Sequence, residues 1–319
     1  MVERSILNQI LNVIGDPSQD IHLLGGYFNN VYEIRAEKPI VVKIFNSEVD
    51  HEEQIASEID WTRYLYEHGI NVAIPIFIKE ESYIHRLNDN LFFIAYEKVK
   101  GNHVDIHSEI WNEELFNQWG RAMGNMHFLS KLSKGKYKRP EWYEHKIYQM
   151  DMSQFDPVIR EKWENCLEVI KSMNPNNDTY GVIHGDLHHH NFLYDTGELT
   201  VIDFGDSEYN FYAYDIAIAI YHASQTVKDM DKRKRFANIF FKLFMEGYSV
   251  ENSDVNKIVK EVDFFINYRH LYSFVYHTQF LDKANLNEQQ LQYLEDMSRT
   301  IINQDSYLGI ECFFESGSY

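Results

Sequence analysis

Cysteine is nearly absent. Cys166 and Cys312 stand far apart and belong to no CxxC pair. That is not a disulfide framework, and free thiols point to a reducing compartment. Long hydrophobic runs are missing too. The most apolar stretch, Ile216 to Ala223, is too short to span a bilayer and follows Asp215. The start, Met1-Val-Glu-Arg-Ser-Ile-Leu7, carries Glu3 and has no apolar h-region, so no signal peptide is expected and a cytoplasmic location is. Positive charge is scarce: 30 basic residues against 49 acidic ones give a formal charge of −19. That argues against a nucleic-acid backbone or an anionic membrane as partner. It is compatible with a cationic substrate, and equally with solubility alone. There is no repeat of fixed period, no low-complexity tract, no GxGxxG and no Walker A sequence.

What is present suits a large folded core. Apolar residues make up 44% and aromatics 15% of 319 residues, enough for two lobes. Ile6, Leu7, Ile10, Leu11 and Ile14 recur at helical spacing over residues 1–15. Val31–Ile34 and Ile40–Phe45 read as strands. Residues 52–68 read as a helix with Ile55, Ile59, Thr62 and Leu65 on one face and Gly69 past its end. Ala73–Ile78 and Leu91–Tyr96 have strand length, with a turn signal at Asn88-Asp-Asn90. Beyond Gly101, helical periodicity governs 112–132, 154–173, 213–227, 230–248, 254–281 and 286–304. The expected fold class is α+β: an N-terminal antiparallel sheet with one main helix, then a larger, mostly helical lobe. The expected division is 1–97 and 98–319.

One segment interrupts the helices. Ile183-His-Gly-Asp-Leu-His-His-His-Asn-Phe-Leu-Tyr194 is followed by Val201-Ile-Asp-Phe-Gly-Asp206. Phe192–Tyr194 and Leu199–Ile202 read as short strands joined by a turn at Asp195-Thr-Gly197. The hairpin places Asp186 before its first strand, Asn191 at its opening and Asp203 at its end. Phosphoryl transfer needs such parts: a carboxylate to orient an attacking hydroxyl, and an Asn and an Asp to hold Mg²⁺ on nucleotide phosphates. Asn191 and Asp203 offer hard oxygens, which suit Mg²⁺ rather than Zn²⁺.

Upstream, Lys43 sits in Val41-Val-Lys-Ile-Phe45, where its ammonium projects from one face of a sheet. Glu58 lies on the internal face of the following helix. A strand Lys paired with a helix Glu is one way to hold nucleotide phosphates; each residue alone is better explained by a solvated surface, and the downstream hairpin is what favours the pairing. Leu24-Gly-Gly-Tyr-Phe-Asn-Asn-Val31 offers Gly25, Gly26, Asn29 and Asn30 for a turn that points N–H groups at phosphates, though a plain hairpin turn looks the same. Glu97-Lys-Val-Lys-Gly101 follows a strand at the boundary, so backbone at Glu97 and Val99 is a candidate for an adenine edge. His184 is read as a loop support. His188-His-His190 cannot easily face one ion. Asp206 is either a turn residue or a weak metal contact. Asp215 leads an apolar helix and so needs a cap or a buried partner; it is read as a brace for the loop.

These residues, with Tyr214-Asp-Ile-Ala217 and Trp119-Gly-Arg-Ala-Met-Gly-Asn-Met-His127, resemble the aminoglycoside phosphotransferase and choline kinase superfamily over roughly residues 20–225. The resemblance implies a bilobal protein-kinase-like fold and transfer of a phosphoryl group from ATP, or GTP, with Mg²⁺. Lys43 then binds phosphates, Glu58 pairs with it, Asp186 is the base, and Asn191 and Asp203 hold the metal. His188 stands where a protein kinase has Lys, no Ala-Pro-Glu segment occurs, and Asp215 follows Asp203 too closely for an activation loop. A small-molecule acceptor is therefore expected rather than a protein. Tyr268, Tyr272, Phe274, Tyr276, His277 and Asp282, with Glu208, Tyr209 and Tyr212, form either an aromatic and acidic pocket for an ammonium group or an ordinary helix core. An aminoglycoside, choline, homoserine and a sugar all stay open as acceptors. The rival readings are a kinase fold without activity and a protein kinase.

Overall fold

The computed structural model describes residues 2–15, 20–26, 28–78, 81–133, 135–252, 255–281, 286–304 and 306–311. Cys312, Asp282 and Tyr27 lie outside these. The chain forms two compact units. The first holds the residues up to His103, together with Lys136–Arg139 and Phe192–Gly205; the second holds the rest. The catalytic-type hairpin thus groups with the N-terminal unit, and the division follows His103.

The first unit is built on an antiparallel sheet of order β1 (Ile21–Gly25), β2 (Val31–Ile34), β3 (Ile40–Asn46), β5 (Leu91–Glu97) and β4 (His85–Arg86). Side chains alternate across β3, so its two faces do different things. Ile40, Val42 and Ile44 pack with Leu7, Ile10 and Leu11 of helix α1 (Arg4–Ile14). Phe45 packs with Ile55 and Ile59 of helix α2 (Glu52–Glu67) on the other face. Lys43, opposite Val31 and Ile94, shares the α2 face. Glu58 is buried on the same side of α2 as Ile55, Ile59 and Thr62.

Ala73–Ile78 is apolar but is not a strand. Val72 and Pro75 make only isolated bridges, to Val201 and Tyr96. Pro75 has no N–H to extend a ladder, which is why an apolar run here stays irregular. The hairpin β7 (Phe192–Asp195) and β8 (Glu198–Val201) forms as expected. Thr196 and Gly197 have φ of 46° and 95°, the paired left-handed residues that a two-residue turn needs to match strand twist.

The second unit is mostly helical: α3 (Glu113–Ser133), α4 (Pro157–Ser172), α5 (Tyr212–Gln225), α6 (Met230–Tyr248), α7 (Asn256–Phe280) and α8 (Glu288–Asn303). Ile216 to Ile220 of α5 have no exposed surface, which explains a helix that is apolar on every side. A two-stranded ribbon, β6 (Tyr180–Ile183) with β9 (Glu208–Phe211), adds strands that the sequence did not announce. Its register sets Ile183 opposite Glu208, bringing His184 and Ser207 together. No helix among the described residues is long and apolar enough to cross a membrane.

Candidate active site

In the first unit, Lys43 Nζ lies 2.7 Å from Asp203 Oδ1. Burial opposes its charge, but Asp203 and Glu58 outweigh burial and hold the ammonium above its ordinary range. Glu58 is pushed up by burial, with Lys43 and Arg139 pulling it back. The close contact of Lys43 is therefore with Asp203, and Glu58 acts on it through space. Asp203 adopts φ 62°, a left-handed conformation that Asp tolerates better than most residues. Arg139 secures the same region. Its guanidinium donates to Gln54 O at 2.8 Å and to Gly205 O at 3.0 Å, tying α2 to the segment just past Asp203.

The glycine turn is shaped by left-handed backbone. Gly26 has φ 84°, and a Cβ there would lie 2.7 Å from Asn30 Oδ1, so the position requires glycine. Gly25 and Asn29 also have positive φ, and the Asn29 N–H donates to Gly26 O. Asn30 is spent on the sheet: its side-chain amide donates to Ile44 O at 2.7 Å. At the strand end, Glu97 lies opposite Ile40, the Lys98 N–H donates to Pro39 O, and Asn102 pairs with Tyr194. A cavity of about 770 Å³ runs along this segment, lined by Ile40, Ile76, Glu97, Val99 and Asp195. It includes neither Lys43 nor Asp203.

In the second unit, Asp186 stands in a loop fixed mainly through its backbone. Asp215 is fully buried. Its Oδ2 accepts from the His184 N–H (2.9 Å) and from His127 Nε2 (3.0 Å), and its Oδ1 from the Gly185 N–H (3.0 Å). Burial pushes His127 below its ordinary pKa despite Asp215, so the ring is neutral with its proton on Nε2. The Tyr248 hydroxyl then donates to Nδ1 at 2.9 Å. Burial opposes ionisation of Asp215, and the bonds from His127 and the loop reverse that. Gly185 has φ 84°, and a Cβ there would lie 2.2 Å from Asp206 O. The reading of Asp215 as a brace is the one the geometry bears out.

Asp186 itself meets Arg269 Nη2 at Oδ1 (3.1 Å), and His188 Nε2 (3.3 Å) and Asn191 Nδ2 (3.4 Å) at Oδ2. Burial alone would raise its pKa; the bond from His188 and the charge of Arg269 drive it well below the usual carboxylate range. Asn191 Nδ2 also donates to the Asp186 carbonyl at 2.8 Å. With its nitrogen committed there, Asn191 has Oδ1 to offer as an acceptor. An amide oxygen is a hard donor of the kind Mg²⁺ takes.

The expected substrate residues divide. Glu208 is pushed up to about 8 by burial, against a bond from Asn210. The Tyr209 N–H donates to Pro140 O. Tyr268 is core, 2% exposed, with its hydroxyl 2.6 Å from that of Tyr148. The Tyr272 ring has a cation over it already: the Arg269 guanidinium, 5.5 Å from the centroid. Arg269, His222 and Arg139 were absent from the sequence reading. Arg269 did leave a signal, since an Arg between Tyr268 and Leu271 on a buried helix must find a partner.

A family model described as "Phosphotransferase enzyme family" matches residues 20–243. Amicoumacin kinase of Bacillus subtilis (strain 168) is 29% identical over 314 residues, covering 94% of this chain and 92% of that one. A solved amicoumacin kinase, hAmiN in complex with AMP-PNP, Ca²⁺ and Ami, is similar with a TM-score of 0.87 at 26% identity, covering 98% of this chain and 96% of that one. A microcompartment-associated aminopropanol kinase has a TM-score of 0.74 at 18% identity over 94% and 95% of the two chains, which speaks for the fold alone.

Proposed function

The chain belongs to the phosphotransferase enzyme family and is a small-molecule kinase with a hydroxyl acceptor; from that premise we propose that it transfers the γ-phosphoryl group of ATP, with Mg²⁺, to a hydroxyl of an amicoumacin-like molecule. The observation that carries the chemistry is Asp186, a carboxylate kept ionised on a loop whose backbone is bonded to Asp215. The acceptor class rests on the 29% identity to amicoumacin kinase along nearly the whole chain. Adenine rather than guanine is favoured by the AMP-PNP of the solved relative. Dependence on ATP and a single described thiol fit a cytoplasmic location.

In this reading Lys43 sets its ammonium against the nucleotide phosphates, and Glu58 and Asp203 keep that ammonium charged. Asn191 Oδ1 and the Asp203 carboxylate are the oxygens offered to the metal. Bound Mg²⁺ would neutralise charge on the phosphates. Asp186 accepts the hydrogen bond of the acceptor hydroxyl and aims its oxygen at the γ-phosphorus. As the new P–O bond forms, the bond to the β-phosphate oxygen breaks, ADP leaves, and the hydroxyl proton passes to Asp186. A weakly basic carboxylate suffices, because a loose transition state asks for orientation before proton transfer.

The test is ADP release with Mg·ATP or Mg·GTP, against amicoumacin, aminopropanol, aminoglycosides, choline, homoserine and sugars. Asp186→Ala should lower kcat by about 10³-fold while the Kd for ATP changes less than about threefold. Parental turnover by that variant would remove Asp186 from its role. ATP binding with no ADP release from any acceptor would turn the reading to a nucleotide-binding protein without chemistry.

A further inference from the structure

Arg269 sits on α7 at a distance of 83 residues from Asp186 in sequence, outside the motif that carries the chemistry. Its guanidinium is held on several sides. Nη2 lies 3.1 Å from Asp186 Oδ1 and 3.0 Å from His222 Nε2; Nη1 lies 3.3 Å from the Tyr214 hydroxyl. The Tyr272 ring lies against the guanidinium. Guanidinium nitrogens only donate, so His222 Nε2 accepts and its ring proton is on Nδ1. The 3.9 Å approach of His222 to Asp186 Oδ1 is therefore not an ion pair, and His222 serves to orient Arg269.

The two carboxylate oxygens of Asp186 are consequently unequal. Oδ1 is bonded to a side chain that is itself fixed by α5. Oδ2 meets His188 at 3.3 Å and the Asn191 amide at 3.4 Å, both near the outer limit for a hydrogen bond. The His188 side chain is 19% exposed and that of Arg269 12%, so His188 is the easier of the two to displace.

We propose that Arg269 is a positioning residue for phosphoryl transfer: it pins Asp186 through Oδ1, so that Oδ2 is the oxygen presented to the acceptor hydroxyl, which takes the place of His188. The proposal rests on the reading of Asp186 as the group that orients the acceptor. A free aspartate side chain samples several rotamers. Holding it in one raises the fraction of encounters in line, and a misplacement of about 1 Å costs about 10²-fold in rate. A lysine cannot substitute, because its single ammonium lacks the two separate guanidinium nitrogens that meet the Tyr214 hydroxyl on one side and Asp186 and His222 on the other.

The experiment compares the parent with Arg269→Ala in crystal structures and in two assays, amicoumacin phosphorylation and the slow hydrolysis of Mg·ATP by water. The expected result is a kcat lowered about 10²-fold with KM for ATP within about threefold. Methylguanidinium should restore at least about tenfold of that loss, ammonium should not, and Arg269→Lys should recover little. In the crystal the Asp186 carboxylate should leave its parental position. A kcat within about threefold of the parent, a loss that methylguanidinium leaves untouched, or a carboxylate displaced by less than about 0.5 Å overturns the proposal. If Arg269→Ala does not fold, Arg269→Gln takes its place under the same criteria. If the parent turns over neither amicoumacin nor water, the proposed function fails, while the carboxylate position still decides whether Arg269 pins it.

Discussion

Asp215 is the residue on which the reactive loop hangs. It accepts three hydrogen bonds with no exposed surface, so Asp215→Ala leaves two backbone N–H groups and the His127 ring without their partner. Leaving buried donors unsatisfied costs about 1–3 kcal/mol each, together on the order of 10 °C in a chain of this size. Thermal denaturation checks it, and a shift below about 2 °C would show that the loop stands without the brace. The role of Asp215 was legible because an acid leading an apolar helix must have a partner nearby. Lys43 was legible only in part. Alternation along β3 predicts that it points from one face, but not that its close partner is Asp203, 160 positions away, rather than the neighbouring Glu58. Arg269 shows the same limit: a buried charge announces that a partner exists, not which one.

Among elements, the crossing of α3 and α6 depends on glycine. A Cβ at Gly120 would lie 1.9 Å from Phe244 O, one at Gly247 the same distance from Asn117 O, and one at Gly124 lies 2.6 Å from Tyr248 O. All three meet backbone, which cannot swing aside as a side chain can. Helix propensity favours Gly120→Ala by about 1 kcal/mol, but driving two packed helices apart costs about 3 kcal/mol, so the clash wins. The variant should melt roughly 4–8 °C below the parent, and a higher melting point would refute the close crossing. Long helices and the β7–β8 hairpin could be read in advance because their signals are local: periodicity, a turn pair, a glycine past an end. Strands β6 and β9 have four residues each, and their partners lie across the intervening hairpin. Neither carries a pattern long enough to see, yet together they set His184 beside Ser207.

Across the whole molecule, buried ionisable groups pull stability in opposite directions. Glu208 is raised to about 8. Its folded form binds a proton that the unfolded chain has already released, so its contribution is full below about pH 4.5 and is lost as pH climbs to 8. His127 and His222 are lowered, and His270 is lowered to about 3 by burial and Arg233. They are neutral in the fold, so stability is lost as pH falls below about 6.5, where the unfolded histidines take protons. Melting temperature should therefore decline on both sides of a near-neutral maximum. Glu208→Gln should flatten the alkaline side between about pH 5 and 8, where one displaced group accounts for up to about 1.4 kcal/mol per pH unit. An unchanged slope in that variant would place the titration elsewhere. The way the loop is held has a further consequence, for protein engineering. Asp215 grips backbone at His184 and Gly185, and Asn191 grips the Asp186 carbonyl; neither depends on the side chains of His188, His189 or His190. Those three codons can be randomised together with the loop still anchored at both ends.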